Sequence, residues 1–320
     1  MPEAALRKAE YSVERDEFYK DVIDGLTKKT KTLHPKYFYD KKGSEYFDQI
    51  CDLDEYYPYK TELALLPKIA ADVAKLLEGE YALIEFGAGS LLKVKPLLQA
   101  VEGIKKFIPI DISGDHLRES CLDLSKEFSK LVVSPIEGDF CQPIEIGDVG
   151  GLEKIGFFPG STIGNFKPDE AKAFLANART TLGKNSYMII GVDTKKSPEK
   201  LHRAYNDKDG VTAKFNLNIL DRISSHFDSV VAKEKFEHYA YYNMYKGCIE
   251  MHLVCLEPHI LYLDDTAVEF EKGESIHTES SFKYSPKEFT ALAQSVGWQV
   301  EKLWLAQDDM FSTFLLKSNA

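Results

Sequence analysis

The segment Ile84-Glu85-Phe86-Gly87-Ala88-Gly89-Ser90 places an acid at the end of an apolar run and two glycines directly behind it. Glycines there allow a tight reversal of the chain and let main-chain N–H groups approach a ligand closely. Position 92 is Leu92, so the third glycine of a dinucleotide fingerprint is missing, and G-x-G alone is a weak pointer to a nucleoside. Two later acids strengthen it. Asp111 closes Phe107-Ile108-Pro109-Ile110-Asp111, and Asp139 lies in Glu137-Gly138-Asp139-Phe140. Doubly wound sheets place ligand contacts at the carboxyl ends of successive strands. Asp111 could there accept both hydroxyl protons of a ribose. Asp139 could accept an adenine amino proton while the Phe140 N–H donates to a ring nitrogen. Singly, each acid is ordinarily a helix cap or a solvated loop residue. Their joint spacing behind Glu85-x-Gly87-x-Gly89 points to an adenosyl ligand.

Lys93 follows the glycine turn, where most lysines point into solvent; beside a helix N-terminus it could instead pair with a ligand carboxylate. Asn165, in Gly160-Ser161-Thr162-Ile163-Gly164-Asn165-Phe166, can donate and accept. Capping a helix that begins near Pro168 and contacting a ligand stand as equal alternatives for it. Tyr56-Tyr57-Pro58-Tyr59 gathers phenols in a loop, where aromatic residues ordinarily pack.

The elements that must position these residues change character along the chain. Residues of about 11–78 read as mainly helical, with a first amphipathic helix to Gly25 and a second over Thr61–Leu77. From Tyr81 to about Thr194, apolar runs at Ala82–Phe86, Phe107–Ile110, Leu131–Val133, Ile155–Phe158 and Met188–Val192 alternate with helical stretches. That alternation predicts a parallel sheet wrapped by helices. Two helices, Pro198–Tyr205 and Val211–Phe227, precede alternating runs at Phe236–Tyr245, Ile249–Leu256 and Ile260–Leu263, which predict antiparallel strands with one solvated face. A helix over Pro286–Val296 then leads to strands Trp298–Leu305 and Phe311–Lys317, an antiparallel edge for the parallel sheet.

The 320 residues are 44% hydrophobic and 12% aromatic, enough for a full core, which excludes disordered and fibrous classes. Lys+Arg 40 against Asp+Glu 51 leaves a net charge of -11, and without a basic face the chain would repel a phosphate backbone. The densest basic cluster, Lys28-Lys29-Thr30-Lys31, reads as a solvated linker. With no apolar stretch near the roughly 20 residues a span needs, and no apolar signal segment at Met1–Arg7, the expectation is a cytoplasmic protein without membrane contact. Five scattered cysteines predict reduced structural thiols, eight histidines show no metal-ligand spacing, and no apolar surface run demands a partner, so a metal-free monomer is expected.

Several long motifs in one order carry a resemblance. They are Pro35-Lys36-Tyr37-Phe38-Tyr39-Asp40 with Gly43-Ser44, Glu55-Tyr56-Tyr57-Pro58 with Thr61-Glu62, and Gly160–Asn165. Behind them come Ala204-Tyr205-Asn206-Asp207, Gly210–Asn216, Ile249-Glu250-Met251 and His277–Tyr284. Over nearly its full length the chain resembles the L-histidine Nα-methyltransferases of ergothioneine biosynthesis, class I enzymes that use S-adenosylmethionine and release S-adenosylhomocysteine. The resemblance implies an α/β fold: a Rossmann-like domain over 61–195 and 286–320, and a smaller, discontinuous α+β substrate-binding domain over 1–60 and 196–285. By carry-over, Tyr56, Asn165 and Tyr205 hold the amino acid's α-carboxylate and α-amine. Glu279 and Ser281 hold the imidazole, with Ser280 and Met251 in the same set. Gly87, Lys93, Asp111, Asp139 and Phe140 contact the cofactor, joined by Tyr39, and Tyr39, Asn165 and Tyr205 stand nearest the chemistry. The implied reaction is trimethylation of histidine to hercynine. Fungal enzymes on the same scaffold methylate a prenylated tryptophan, and a non-catalytic cofactor-binding module is a third reading. The loop Phe86–Leu92 is more apolar than the family's. Glu279 and Ser281 favour histidine.

Overall fold

The computed structural model describes residues 17–318, save 143 and 228 and the side chains of 115 and 116. The expected start of the first helix, near residue 11, lies outside the described residues. The described residues open with helix α1 (17–26), strand β1 (Lys31–Thr32) and helix α2 (Lys41–Asp52). There follow α3 (Tyr57–Leu76), β2 (Tyr81–Phe86), α4 (Lys95–Ala100), β3 (Ile104–Asp111), α5 (Gly114–Glu127), β4 (Val132–Val133), β5 (Ile136–Glu137), β6 (Glu153–Phe158), α6 (Pro168–Leu182) and β7 (Tyr187–Asp193). Next are α7 (Pro198–Tyr205), α8 (Val211–His226), β8 (Phe236–Asn243), β9 (Cys248–Cys255), β10 (His259–Leu263), β11 (Thr266–Phe270) and β12 (Ser275–Phe282). Last come α9 (Pro286–Gln294), β13 (Trp298–Leu305) and β14 (Phe311–Ser318).

Two units result. One comprises Tyr57–Lys196 and Phe282–Ala320; the other comprises Ser197–Ser281 and the described residues up to Tyr56. In the first, eight strands form one sheet in the order β13-β14-β7-β6-β2-β3-β4, with β5 also on β3. β2, β3, β6 and β7 run parallel, whereas β14 is antiparallel to β7 and to β13, as the apolar runs predict. Every residue of β2 is buried, the pattern of a strand covered on both faces. One face carries Leu66, Ile69 and Val73 of α3, Leu97 of α4 and Leu117 and Leu124 of α5 against Leu83, Phe107 and Ile155. Elsewhere in this unit the Trp298 indole donates to the Leu175 carbonyl of α6 at 2.9 Å, and Phe289 of α9 lies against Phe314. The strand order reverses at β2, whose neighbours are β3 and β6. Ligands of such sheets bind at that switch point, outside the carboxyl ends of the strands.

In the other unit, a sheet in the order β1-β12-β9-β8 packs with α7 and α8, and β10 pairs with β11. β8 and β9 are antiparallel, as their alternation predicts, but β1 runs parallel to β12. Lys31 therefore belongs to a strand and not to a solvated linker: it is 8% exposed and its ammonium pairs with Glu274. α2 is capped by Asp40, whose Oδ1 accepts the Gly43 N–H at 2.7 Å and an N–H of Asn218 at 2.9 Å. α8 begins under Asp207, which accepts the Val211 and Thr212 N–H groups at 2.8 Å each.

Candidate active site

The glycine turn follows directly from β2. Gly87 and Gly89 adopt φ of 69° and 51°, backbone that favours glycine, and the Gly87 and Ala88 N–H groups both donate to the Ile110 carbonyl. A Cβ on Gly87 would stand 3.1 Å from the Phe140 ring, whereas nothing lies within 4 Å of one on Gly89. Asp111, at the end of β3, braces the turn: Oδ2 accepts from Gly89 N at 3.1 Å and Oδ1 from Ser113 N at 2.9 Å. Asp139 accepts from Cys141 N at 2.8 Å, and Phe140 meets Phe158, Phe166 and Phe174 edge-on. Glu85 is 1% exposed, and one of its oxygens has no partner among the described residues. Burial pushes its carboxyl well above the ordinary range despite the opposing pull of Lys93.

Lys93 is not solvated. It lies just ahead of α4, its Nζ 2.7 Å from Glu62 Oε2 and 5.0 Å from the centre of the Tyr59 ring, with the side chain 15% exposed. The same Glu62 oxygen accepts the Gly160 N–H at 2.8 Å. Glu62, on α3, thus joins the loop after β2 to the loop after β6. Asn165 ends a short 3-10 turn, Thr162–Asn165, and is not the cap of α6. That place belongs to Lys167, whose N–H donates to Glu170 at 2.9 Å.

A second charge cluster stands at the end of β7. Asp193 is fully buried; its Oδ2 accepts from the Tyr57 hydroxyl at 2.7 Å and from Lys283 Nζ at 2.8 Å. Lys196 Nζ lies 2.5 Å from its Oδ1 and 2.8 Å from the Tyr57 oxygen. Burial alone would raise the Asp193 carboxyl, but Lys283 and Lys196 prevail and hold it below the ordinary carboxylate range.

In the other unit Tyr205, the last residue of α7, donates from its hydroxyl to Ser281 Oγ on β12 at 2.9 Å. The Tyr56 ring meets Tyr205 edge-on at 6.0 Å, and Phe47 and Phe215 extend the aromatic wall to Tyr39. Burial, followed by the neighbouring Tyr205, Cys51, Tyr39 and Glu279, pushes the Tyr56 phenol well above its ordinary value, so it remains a donor. Glu279 is 7% exposed beside Ser281. Met251, 2% exposed on β9, accepts through its carbonyl from the Thr278 hydroxyl at 3.1 Å. Ser280 pairs with His277 Nε2 at 2.9 Å, apart from the Tyr205–Ser281 pair.

The structure thus gathers Tyr39, Tyr56, Tyr205, Glu279 and Ser281 in one unit, and Gly87, Lys93, Asp111 and Phe140 in the other. Sequence reasoning left Glu62 and Asp193 without roles, although each carried a signal. Glu62 sits on the stripe of Leu65, Leu66 and Ile69, where a charge is out of place, and Asp193 ends an apolar run as Asp111 does. Among the described residues no three His, Cys, Asp or Glu side chains are grouped to hold a metal ion, and no helix is long and apolar enough to cross a membrane.

Known proteins are similar to this chain over much of its length. The histidine N-alpha-methyltransferase of Mycolicibacterium smegmatis is 35% identical over 291 residues, 89% of this chain and 90% of the relative. The 4-dimethylallyltryptophan N-methyltransferase of Claviceps purpurea is 29% identical over 318 residues, 90% of this chain and 91% of that one. The ergothioneine biosynthesis protein 1 of Neurospora crassa is 32% identical over 186 residues, 56% of this chain and 21% of that longer protein. Residues 18–318 match the family of histidine-specific, SAM-dependent methyltransferases as one continuous stretch. With the glycine turn, the strand-terminal acids and the tyrosine–serine–glutamate set all inside that stretch, the chain is an enzyme that belongs to the histidine-specific, S-adenosylmethionine-dependent N-methyltransferases.

Proposed function

We propose that the enzyme trimethylates the α-amine of L-histidine, giving hercynine and S-adenosylhomocysteine, as a step of ergothioneine biosynthesis. The observation that carries this reading is the placement of Glu279 beside Ser281 and the Tyr205 hydroxyl on a largely buried surface. A carboxylate accepts hydrogen bonds, and an imidazole N–H can donate one to Glu279. A side chain without that N–H forgoes this hydrogen bond, and that difference is the source of discrimination.

S-adenosylmethionine supplies a methyl group on a sulfonium when bound. The turn at Gly87 and Gly89 suits it, since Gly89 faces open space and Asp111 stands at the next strand end for the ribose hydroxyls. Asp139 and Phe140 take the adenine, and Lys93 the methionyl carboxylate. Tyr56, Asn165 and Tyr205 take the α-carboxylate and the α-amine; Met251 shapes the ring pocket, and Tyr39 joins the cofactor contacts. Methyl transfer is an in-line displacement, so orientation does most of the work. The amine must be unprotonated, and desolvation beside a cation lowers its pKa. The Tyr205 hydroxyl donates to Ser281, and its oxygen can accept an amine N–H. Glu62–Tyr59–Lys93 and the buried strand ends are the groups that exclude water around the cofactor's polar end. The 61–195 and 286–320 segments are the cofactor-binding domain in this reading, and the rest binds substrate as a monomer.

The test is mass spectrometry of products from the purified protein incubated with S-adenosylmethionine and a panel of histidine, tryptophan and a prenylated tryptophan. Histidine gaining three methyl groups is the expected result. Methylation of another amine, or arrest at one methyl, overturns the substrate or the trimethylation respectively.

A further inference from the structure

The carbonyls of a helix's last turn have no partner inside the helix. Tyr205 ends α7, and its carbonyl is met by His238 Nε2 of β8 at 2.8 Å. The other ring nitrogen, Nδ1, lies 2.8 Å from Asn216 Nδ2 of α8. Asn216 is fully buried, and its neighbours decide which way its amide points. Nδ2 also faces the His252 carbonyl at 3.1 Å, which can only accept, while Oδ1 faces the Thr278 hydroxyl at 2.7 Å. Nδ2 is therefore the donor on both sides, and His238 Nδ1 carries no proton. The one ring proton sits on Nε2 and is given to the Tyr205 carbonyl. Burial lowers the His238 pKa from its ordinary value, while the Tyr205 carbonyl, Asp207 and Glu237 pull the other way, in keeping with a neutral ring.

One residue further on, the Asn206 side chain accepts from Ala240 N at 3.1 Å and donates to Ala240 O at 3.0 Å. The end of α7 is thus tied to β8 at two successive residues. From Asn216 the chain of bonds runs on through Thr278, next to Glu279, to the Met251 carbonyl. One connected polar network underlies Tyr205, Met251 and the strand of Glu279 and Ser281.

We propose that His238 and Asn216 are positioning residues of the amino-acid site: they hold the last turn of α7 so that the Tyr205 hydroxyl stands against Ser281, and neither touches substrate. This rests on the reading that Tyr205 contacts the amino acid. A helix end without its partner frays, and a hydroxyl carried on a frayed end loses its fixed place, which an in-line reaction does not tolerate.

The test titrates histidine, and separately S-adenosylhomocysteine, into the full-length protein and its His238→Phe, His238→Gln, Tyr205→Phe and His238→Phe/Tyr205→Phe variants. His238→Phe is expected to weaken histidine on the order of tenfold, the worth of one hydrogen bond, and S-adenosylhomocysteine by less than about twofold. His238→Gln, whose amide N–H can reach the same carbonyl, recovers most of the loss, and His238→Phe adds nothing to Tyr205→Phe. Equal weakening of both ligands, or a glutamine variant no better than phenylalanine, shows a merely structural role and overturns the proposal. If Tyr205→Phe weakens histidine and His238→Phe does not, the positioning role falls alone. If Tyr205→Phe binds histidine normally, the reading of Tyr205 falls and takes the proposal with it. Should His238→Phe not fold, Asn216→Ser interrupts the same network and is expected to weaken histidine several-fold with the same indifference to S-adenosylhomocysteine.

Discussion

The pair of Glu62 and Lys93 is buried unevenly, with side chains 1% and 15% exposed, and this predicts an asymmetry between two substitutions. Lys93→Met removes the cation and leaves a carboxylate in the interior, where the Gly160 N–H offsets part of its lost hydration. Breaking a buried pair this way costs about 3–5 kcal/mol. Glu62→Gln keeps an acceptor for Gly160, and the ammonium it strands has partial access to water and the Tyr59 ring 5.0 Å away. Its cost is about 1.5–3 kcal/mol, the range of a lost charge-assisted hydrogen bond. Thermal unfolding without ligand reads both: Lys93→Met should lower Tm by roughly 6–20 °C and Glu62→Gln by roughly 3–12 °C. The double variant should fall short of the sum, since the groups act on each other directly. Glu62→Gln proving as damaging as Lys93→Met would refute the argument, because the burden would then not lie on the more deeply buried charge.

Glu250 on β9 is held at about 2 by Lys246, Tyr241 and Asn243 in spite of the burial that would raise it. A depressed carboxyl stabilises the fold above its unfolded pKa and loses that contribution as pH falls through the folded value. The stability advantage of the protein over Glu250→Gln, on the order of 3 kcal/mol at neutral pH, should therefore shrink from about pH 4.5 downward and vanish near pH 2 in urea titrations; an advantage unchanged at pH 3 refutes the assignment. Gly191→Ala would put a Cβ 2.0 Å from Glu62 Oε1, which Lys93 and Gly160 prevent from swinging away. It should cost at least about 1–3 kcal/mol, and much less in a Glu62→Ala background, as denaturant midpoints would show.

The strands of the large sheet were legible because an apolar run is the same signal whichever partner it finds: Tyr81–Phe86 and Tyr187–Asp193 needed no knowledge of their neighbours. α7 was legible to its ends, since Pro198 sets its first turn and the apolar spacing stops at Tyr205. What escaped depends on residues far away in the chain. Two-residue β1 exists through its pairing with Ile276 and His277, and Lys31 is buried there because Glu274 awaits it. Lys93 looked solvated because its counter-ion lies on another helix. Asn165 could be cap or ligand contact by type; the backbone gives the cap to Lys167. The candidates Gly87, Asp111 and Phe140 came from strand ends, whereas Glu279, an acid in a polar strand, became a candidate only through the family resemblance.

Asp193 has a consequence for how such a chain can be cut and rejoined. Its carboxylate binds Tyr57, Lys196 and Lys283, and its carbonyl accepts the Tyr284 N–H at 3.0 Å. Those side chains stand at the points where the polypeptide enters or leaves the sheet-bearing unit. Entry, exit and re-entry therefore share one clasp. Residues 197–281 form a cassette whose two ends are already brought together, so the segment can lengthen, shorten or be exchanged without rethreading a single strand of the large sheet. A polypeptide of Tyr57–Lys196 joined through a short linker to Phe282–Ala320 carries all eight of those strands and the clasp itself. Substrate choice could in this way be replaced piecewise while the nucleoside-binding half keeps its connectivity.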